Sequence, residues 1–483
     1  MDFIPIAIFW GLALMGLFGN RSILICLFFA TMPFGSFAVF PTTMTMGLTF
    51  TPTPIVACIL FLRTFLTGKA IKFGISALLA PRGLVLLTLF WAIAVLVTIF
   101  SPRFFAGSIT IVPMKVTRFF QSELLEPTTQ NISQIMYLTI SAITVVTFAR
   151  LMLDPKQQQN ALKGLCIGGG VVVVTGILDY LSHFVTLGWL LEPFRTASYA
   201  LMTDVTLEGG TRRVVGLMPE ASSYGALCTQ LLTLMYFLRH AITNTFYRSK
   251  VVPVVATLLL LFVWLSTSSS AYVALVVFGA FALLEFLWRA RKARKGSRAG
   301  RDLEMEFWVA SGVMAIVFTV FVIRPEVFDS FFRLFEQMVL KKTRSISYEE
   351  RSFWTATSWQ ALLDTYGLGV GMGGTRTSNE IIAVLSNTGF LGGLLYYGFV
   401  LQSMLRRAYP GDAVNAALVS GLRWSFLPGL TAGILAGTSA DFGLKNAFLF
   451  GTIFAAALVS WHGRNKGAAM ATAEAGETQK ISV

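Results

Sequence analysis

The chain has 483 residues, 55% of them hydrophobic and 13% charged, with a mean hydropathy of +0.69. That balance excludes a soluble globular domain, in which charged residues make up about a quarter of the composition. The formal charge is +14; in a chain this apolar it points to basic loops at one membrane face rather than to nucleic acid.

About 13 apolar segments follow in order, at roughly 4–18, 22–40, 54–67, 84–100, 132–148, 164–181, 222–238, 251–267, 270–288, 306–323, 380–404, 425–438 and 446–461. A helix needs about 20 apolar residues to cross a hydrocarbon layer of roughly 30 Å. The expected fold is all-α: a polytopic membrane bundle of about 12–13 transmembrane helices forming one domain over 1–462. Segment 54–67 is short and flanked by proline, which suits a re-entrant or tilted span. Met1-Asp2-Phe3 lacks the basic start of a cleaved signal peptide, so the first span is expected to stay. The polar tail 463–483 is expected to be disordered and cytoplasmic. Cys26, Cys58, Cys166 and Cys228 lie in apolar runs without metal-like spacing and read as small buried hydrophobes.

The connecting loops alternate in character. Lys69, Lys72 and Arg82 share one loop, followed on the same side by Arg150, Lys156 and Lys163, then Arg239, Arg248 and Lys250. The run 289–301, with seven basic residues and no acid, comes next, and then Arg406–Arg407 and Arg464–Lys466. The positive-inside rule makes that side cytoplasmic. The other side then carries three long loops, about 101–131, 182–221 and 324–379. Loops of this length are the natural place for function. Within the last, 330–343 has apolar residues at helical spacing and reads as an interfacial helix.

Two clusters occupy these loops. The first is Arg212-Arg213-Val-Val-Gly216-Leu-Met-Pro219-Glu220-Ala-Ser222-Ser223-Tyr224-Gly225. Paired arginines at the bilayer edge suit phosphate, which a guanidinium holds by two hydrogen bonds; snorkelling to headgroups explains them equally well. Pro219 and the serines fit a helix start. The second cluster runs from Arg344 through Tyr348, Glu349, Glu350, Arg351 and Trp354 to Trp359. Tyr366-Gly367-Leu-Gly369-Val-Gly371-Met-Gly373-Gly374, Arg376, Ser378, Asn379 and Glu380 follow it. Gly369, Gly371 and Gly374 match G-x-G-x-x-G, but that fingerprint needs a surrounding βαβ unit and none is expected between membrane helices. A tight turn that lets backbone approach closely is the better reading. Tyr348, Trp354 and Trp359 read as interfacial aromatics before they read as sugar platforms.

In order and spacing, R-x-x-G-x-x-P-E-x-S, then R-x-x-W, G-x-G-x-G and an Asn leading into a Gly-containing helix resemble the O-antigen polymerase/ligase superfamily over roughly 205–400. Ser266–Ser270 resembles that group's S-T/S-R element without its arginine. The resemblance implies a GT-C-like glycosyltransferase with periplasmic loops in a bacterial inner membrane. Its donor and acceptor partners would be undecaprenyl-pyrophosphate-linked oligosaccharides, with a chain-length regulator protein as a further candidate partner. On the matching positions, Arg213 and Arg351 would stabilise the leaving pyrophosphate, with Arg212, Arg344, Tyr348, Arg376 and Asn379 binding substrate. Glu220 and Glu380 are the candidate bases, though acids at helix starts also serve as caps or ion-pair partners. Where ligases of the group carry a histidine before that Asn, this chain has Ser378. The expectation is thus a polysaccharide polymerase that needs neither metal nor cofactor and binds no nucleic acid. The alternatives are an O-antigen ligase, a flippase or transporter, and a structural scaffold.

Overall fold

The computed structural model describes residues 3–41, 44–45, 49–115, 120–199, 201–204, 212–292, 298–324, 346–409 and 411–481. Helix accounts for 73% of it and strand for 2%, so the fold is all-α. Among the described residues, eight helices are long and apolar enough to cross a membrane: Val85–Phe104 (α5), Thr129–Leu151 (α6), Pro155–Leu181 (α7), Tyr247–Leu265 (α10 with its leading π-turn), Ser269–Lys292 (α11), Glu380–Leu405 (α14), Ala413–Leu435 within α15, and Gly443–Trp461 within α16. Pro52–Thr64 (α3) and Gly68–Leu79 (α4) pass the same test together but meet at 114°, a broken span or a re-entrant loop where the sequence reading has a re-entrant or tilted segment.

Other apolar segments differ from the sequence reading. Phe3–Phe18 (α1) has 16 residues and Arg21–Ala30 (α2) has 10, both short of a full crossing. The apolar run 22–40 stops being helical after Ala30 because Pro33 and Gly35 follow, and its last third folds irregularly around Phe34, Phe37 and Val39. Conversely, α15 (Ala413–Ala436) begins a dozen residues before the expected segment, since the polar Asn415 is buried against Gln158 of α7 at 3.0 Å. α16 (Gly443–Ile481) runs helical through the tail expected to be disordered, where the Ala-rich stretch after Lys466 favours helix. The four-residue α8 (Gly188–Leu191), α9 (Ala221–Leu238), α12 (Arg298–Ile323) and α13 (Ile346–Asp364) complete the helices used below.

Helix starts follow their local sequence. Asn20 caps α2 through Ser22 N–H at 2.9 Å, a Thr128–Asn131 capping box opens α6, and Asp154 caps α7 ahead of Pro155. At the centre, α16 packs along α6 and α2 along α7. Phe28, Phe29, Phe148 and Phe448 interlock there edge to face, with centroids 5.0–5.2 Å apart. The close approach needs small residues: a Cβ on Gly451 would strike the Val145 carbonyl.

The long loops fold on one another. Thr110–Ile111 (β1) pairs antiparallel with Glu123–Leu124 (β2), and α13 packs on β1. Ile109, Ile111, Leu125, Ala361 and Val370 form a small satellite core beneath. The expected interfacial helix 330–343 lies outside the described residues.

Candidate functional site

The first cluster is shaped by a buried carboxylate. Asp179, at the end of α7, accepts the N–H groups of Val215 at 2.7 Å and Gly216 at 3.0 Å. Its other oxygen binds Arg195 at 3.0 Å, with the side chains 1% and 7% exposed. Arg195 also donates to Gly216 O at 3.3 Å. This pair fixes the turn, in which Gly216 takes φ +58°, and so sets where Arg212 and Arg213 emerge.

Arg213 turns onto the junction between α10 and α11. Its Nε donates to Ser266 O at 3.3 Å and Thr267 Oγ1 at 3.2 Å, and its Nη2 to Thr267 O at 3.1 Å. Thr267 holds φ +46°, a conformation rare for a threonine. The 266–270 junction and the first cluster are therefore one structure. Nη1 of Arg213 has no partner among the described residues. Arg212 pairs instead with Asp204 toward solvent.

Glu220 is the N-cap residue of α9 and accepts hydrogen bonds from Ser222 Oγ and, at 3.4 Å, Ser223 Oγ. Its charge acts on two arginines. Burial lowers the Arg213 pKa and Glu220 opposes the shift. Burial likewise lowers that of Arg376, opposed by Glu220 and then Glu350, with Arg351 adding to the fall.

Arg376 belongs to the second cluster. Its guanidinium lies over the Trp354 ring at 4.3 Å, and its backbone N–H binds Val112 O in the hairpin loop at 2.9 Å. Trp354 is 7% exposed, so it is the floor under an arginine rather than a belt residue or an open sugar platform. The Nε of Arg376 is buried without a hydrogen-bond partner among the described residues, while its Nη1 reaches Met114 O at 3.5 Å. Arg351, one turn from Trp354 on α13, is half-buried and has no side-chain partner among the described residues.

Arg213, Glu220, Arg351 and Arg376 thus share one electrostatic site drawn from both clusters. Arg212 sits at its edge. Tyr348 is 45% exposed on the outer side of α13. Arg344 lies outside the described residues. Asn379 caps α14, its Oδ1 accepting from Ile381 and Ile382 N–H at 2.9 and 3.1 Å, which commits that oxygen to the helix start.

Glu380 has a different setting. α14 breaks at Gly389 (φ 75°, ψ 176°). The Tyr396 hydroxyl donates to Glu380 Oε1 at 3.1 Å, although 16 residues span roughly 24 Å in a straight helix. The first arm, 380–388, has folded back along the second. The glycine-rich loop holds the break: Phe390 N–H binds Gly367 O at 2.9 Å and Val370 N–H binds Ser386 O at 2.8 Å. Glu380 therefore faces α15, against Gly433, with Lys445 of α16 as its basic neighbour. None of the charges that act on Arg213 or Arg376 is Glu380. The geometry favours Glu220 over Glu380 as the carboxylate of the arginine site.

Three features were not singled out in the sequence: Arg195, the anchoring role of Asp179, and the nearness of His183 to Arg212. His183 follows α7, and burial, then Arg212, hold its imidazole below the ordinary value. Among the described residues no three His, Cys, Asp or Glu side chains gather as a metal set. The arrangement can hold a doubly charged anion between guanidiniums, with a carboxylate at hand. The sequence matches no protein-family model and none of the curated proteins with which it was compared.

Proposed function

We propose that the chain is a membrane glycosyltransferase that joins oligosaccharide units carried on undecaprenyl pyrophosphate, acting as a polysaccharide polymerase at the periplasmic face of a bacterial inner membrane. The motif order that resembles the O-antigen polymerase/ligase superfamily supports this reading. What supports it most is that the charge of Glu220 is felt at both Arg213 and Arg376, residues of two loops more than a hundred residues apart, with Arg351 near Arg376.

In this reaction a hydroxyl oxygen of the acceptor glycan attacks the donor's anomeric carbon. The bond from that carbon to the pyrophosphate oxygen breaks, and the lipid pyrophosphate leaves with the electron pair. The hydroxyl proton passes to a carboxylate, for which Glu220 is the candidate. Arg351, which has no side-chain partner among the described residues, and Arg376, whose Nε has none among them, take up the negative charge that grows on the leaving group. Arg213 offers Nη1 from an anchored position. Guanidiniums held before the reaction need no reorganisation as charge develops, which is why preorganised donors supply most of the rate enhancement in many active sites.

The test is a purified-protein assay with a lipid-linked repeat unit and no other acceptor. Wild type should lengthen the glycan, and Arg351→Ala and Arg213→Ala should each slow it roughly a hundredfold. Unchanged rates in both variants, or transport of the lipid-linked unit with no lengthened product from wild type, would remove the proposal.

A further inference from the structure

At the opposite face of the bundle from the arginine site, a cleft of about 390 Å³ opens where α2, α3, α6 and α7 end together. Arg21, Thr64, Thr67, Arg150, Asp154 and Gln157 line it. Neither Arg21 nor Arg150 has a hydrogen-bond or carboxylate partner among the described residues; Arg150 meets only the Phe73 ring, at 5.7 Å. A third arginine, Arg63, stands near Arg21 and repels it. The acid in the wall, Asp154, spends one oxygen on the N–H of Lys156 at 2.9 Å. Thr67 and Gln157, two residues whose side chains carry donors, line the same space. Two guanidiniums lining one cleft stay there at least cost around an anion that both can fork.

The flank of the cleft says which anion. α4 leaves α3 at 114°, so it crosses the bundle edge rather than continuing through it. Ala70, Gly74 and Ala77 face inward, whereas Ile71, Ile75 and Leu79 form an exposed stripe at helical spacing, 47–64% accessible. Leu62 and Leu66 extend that apolar surface at the end of α3. Lys69 and Lys72 are exposed on the same helix. An apolar stripe with a basic rim belongs at the boundary between acyl chains and headgroups. We propose that this cleft binds the phosphate of an acidic phospholipid, Arg21 and Arg150 clamping the phosphate while the acyl chains lie along Ile71, Ile75 and Leu79. The choline of a zwitterionic lipid would place a cation among arginines and is disfavoured.

The full-length protein, exchanged into neutral detergent, is titrated with phosphatidylglycerol and the bound lipid is counted by native mass spectrometry. Phosphatidylcholine and inorganic phosphate are the parallel arms. One saturable phosphatidylglycerol per chain is expected, held roughly a hundredfold more weakly by Arg21→Gln/Arg150→Gln, about tenfold for each guanidinium removed from the phosphate. Arg150→Lys keeps the charge without the fork and should fall between the two. Lys250→Gln, elsewhere on the same face, should bind as wild type does. Equal retention of phosphatidylcholine, unchanged affinity in the double variant, or an equally weakened Lys250→Gln would overturn the proposal. Displacement of the lipid by millimolar inorganic phosphate would overturn the lipid assignment.

Discussion

Partial burial sets the character of the arginine site residue by residue. A guanidinium removed from water and left without a full set of acceptors lowers its energy by taking an anion. Arg376 is the sharpest case, lodged on Trp354 with a buried Nε unpartnered among the described residues. Arg195 is the contrast in charge: Asp179 and Glu192 both pair with it, so its guanidinium holds the loop. His183 lies between these groups. Its imidazole resists protonation because burial and the nearby Arg212 disfavour a second cation, with Asp179 and Asp204 opposing more weakly. The folded-state value is thus below the ordinary 6.5. The unfolded chain takes the proton more readily, so folding loses stability as pH falls through 6.5 and below. Thermal unfolding in detergent should show this. Between about pH 7 and pH 5 the midpoint of His183→Gln should fall less than that of wild type, because the variant lacks the titrating group. Parallel curves for the two proteins would mean that His183 titrates normally.

At the scale of elements, the break in α14 is the decisive feature, since it delivers Asn379 and Glu380 into the bundle and ties the glycine-rich loop beneath α13. At φ 75°, ψ 176° Gly389 occupies a region open essentially to glycine, and a Cβ there would strike the carbonyl oxygens of Leu368 and Gly367. Gly389→Ala should cost about 2 kcal/mol or more in stability. Gly398→Ala on the same helix, where the added Cβ meets Leu86 Cδ1 at an ordinary 3.6 Å, should cost nothing measurable. Equal unfolding midpoints for both variants would show that the break is not required. Little of this is legible in the sequence. Hydropathy reads 380–404 as one uninterrupted segment, because the break depends on pairing with residues 367–370 and not on any local stop signal. The Asp179–Arg195 pair is equally hidden, being a tertiary contact between a helix end and a loop. Helix existence, the two loop clusters and the serine-rich junction at 266–270 are legible, because each is a local composition or spacing. Hydropathy also misses breaks inside a run: the apolar run 22–40 is not one helix, since Pro33 falls inside it.

Across the whole molecule, the hydrogen bonds sort the loops into two sets. Arg406 reaches Gly83 O, Tyr409 N–H binds Ser460 Oγ at 2.7 Å, Trp461 Nε1 binds Arg407 O at 2.9 Å, and Gln159 Nε2 binds Ala241 O at 3.0 Å. Near them Glu306 joins Arg239 at 3.0 Å and Arg289 at 2.5 Å. These are the basic loops. The other set ties Ser36 to Leu217 and Thr196, Val112 to Arg376, and Asn131 to Met372 O at 2.9 Å. A single axis therefore separates the Lys- and Arg-rich end from the end holding the arginine site. Moving positive loops across a membrane is costly, so the basic end should face the cytoplasm. Tyr366, 88% exposed beside the glycine-rich loop, and the exposed Lys250 on the basic side are suitable reporters. In a background with Cys26, Cys58, Cys166 and Cys228 changed to alanine, Tyr366→Cys should react with a membrane-impermeant maleimide in intact spheroplasts. Lys250→Cys should react only after permeabilisation. The reverse pattern would place the arginine site in the cytoplasm, where a periplasmic polymerase could not work.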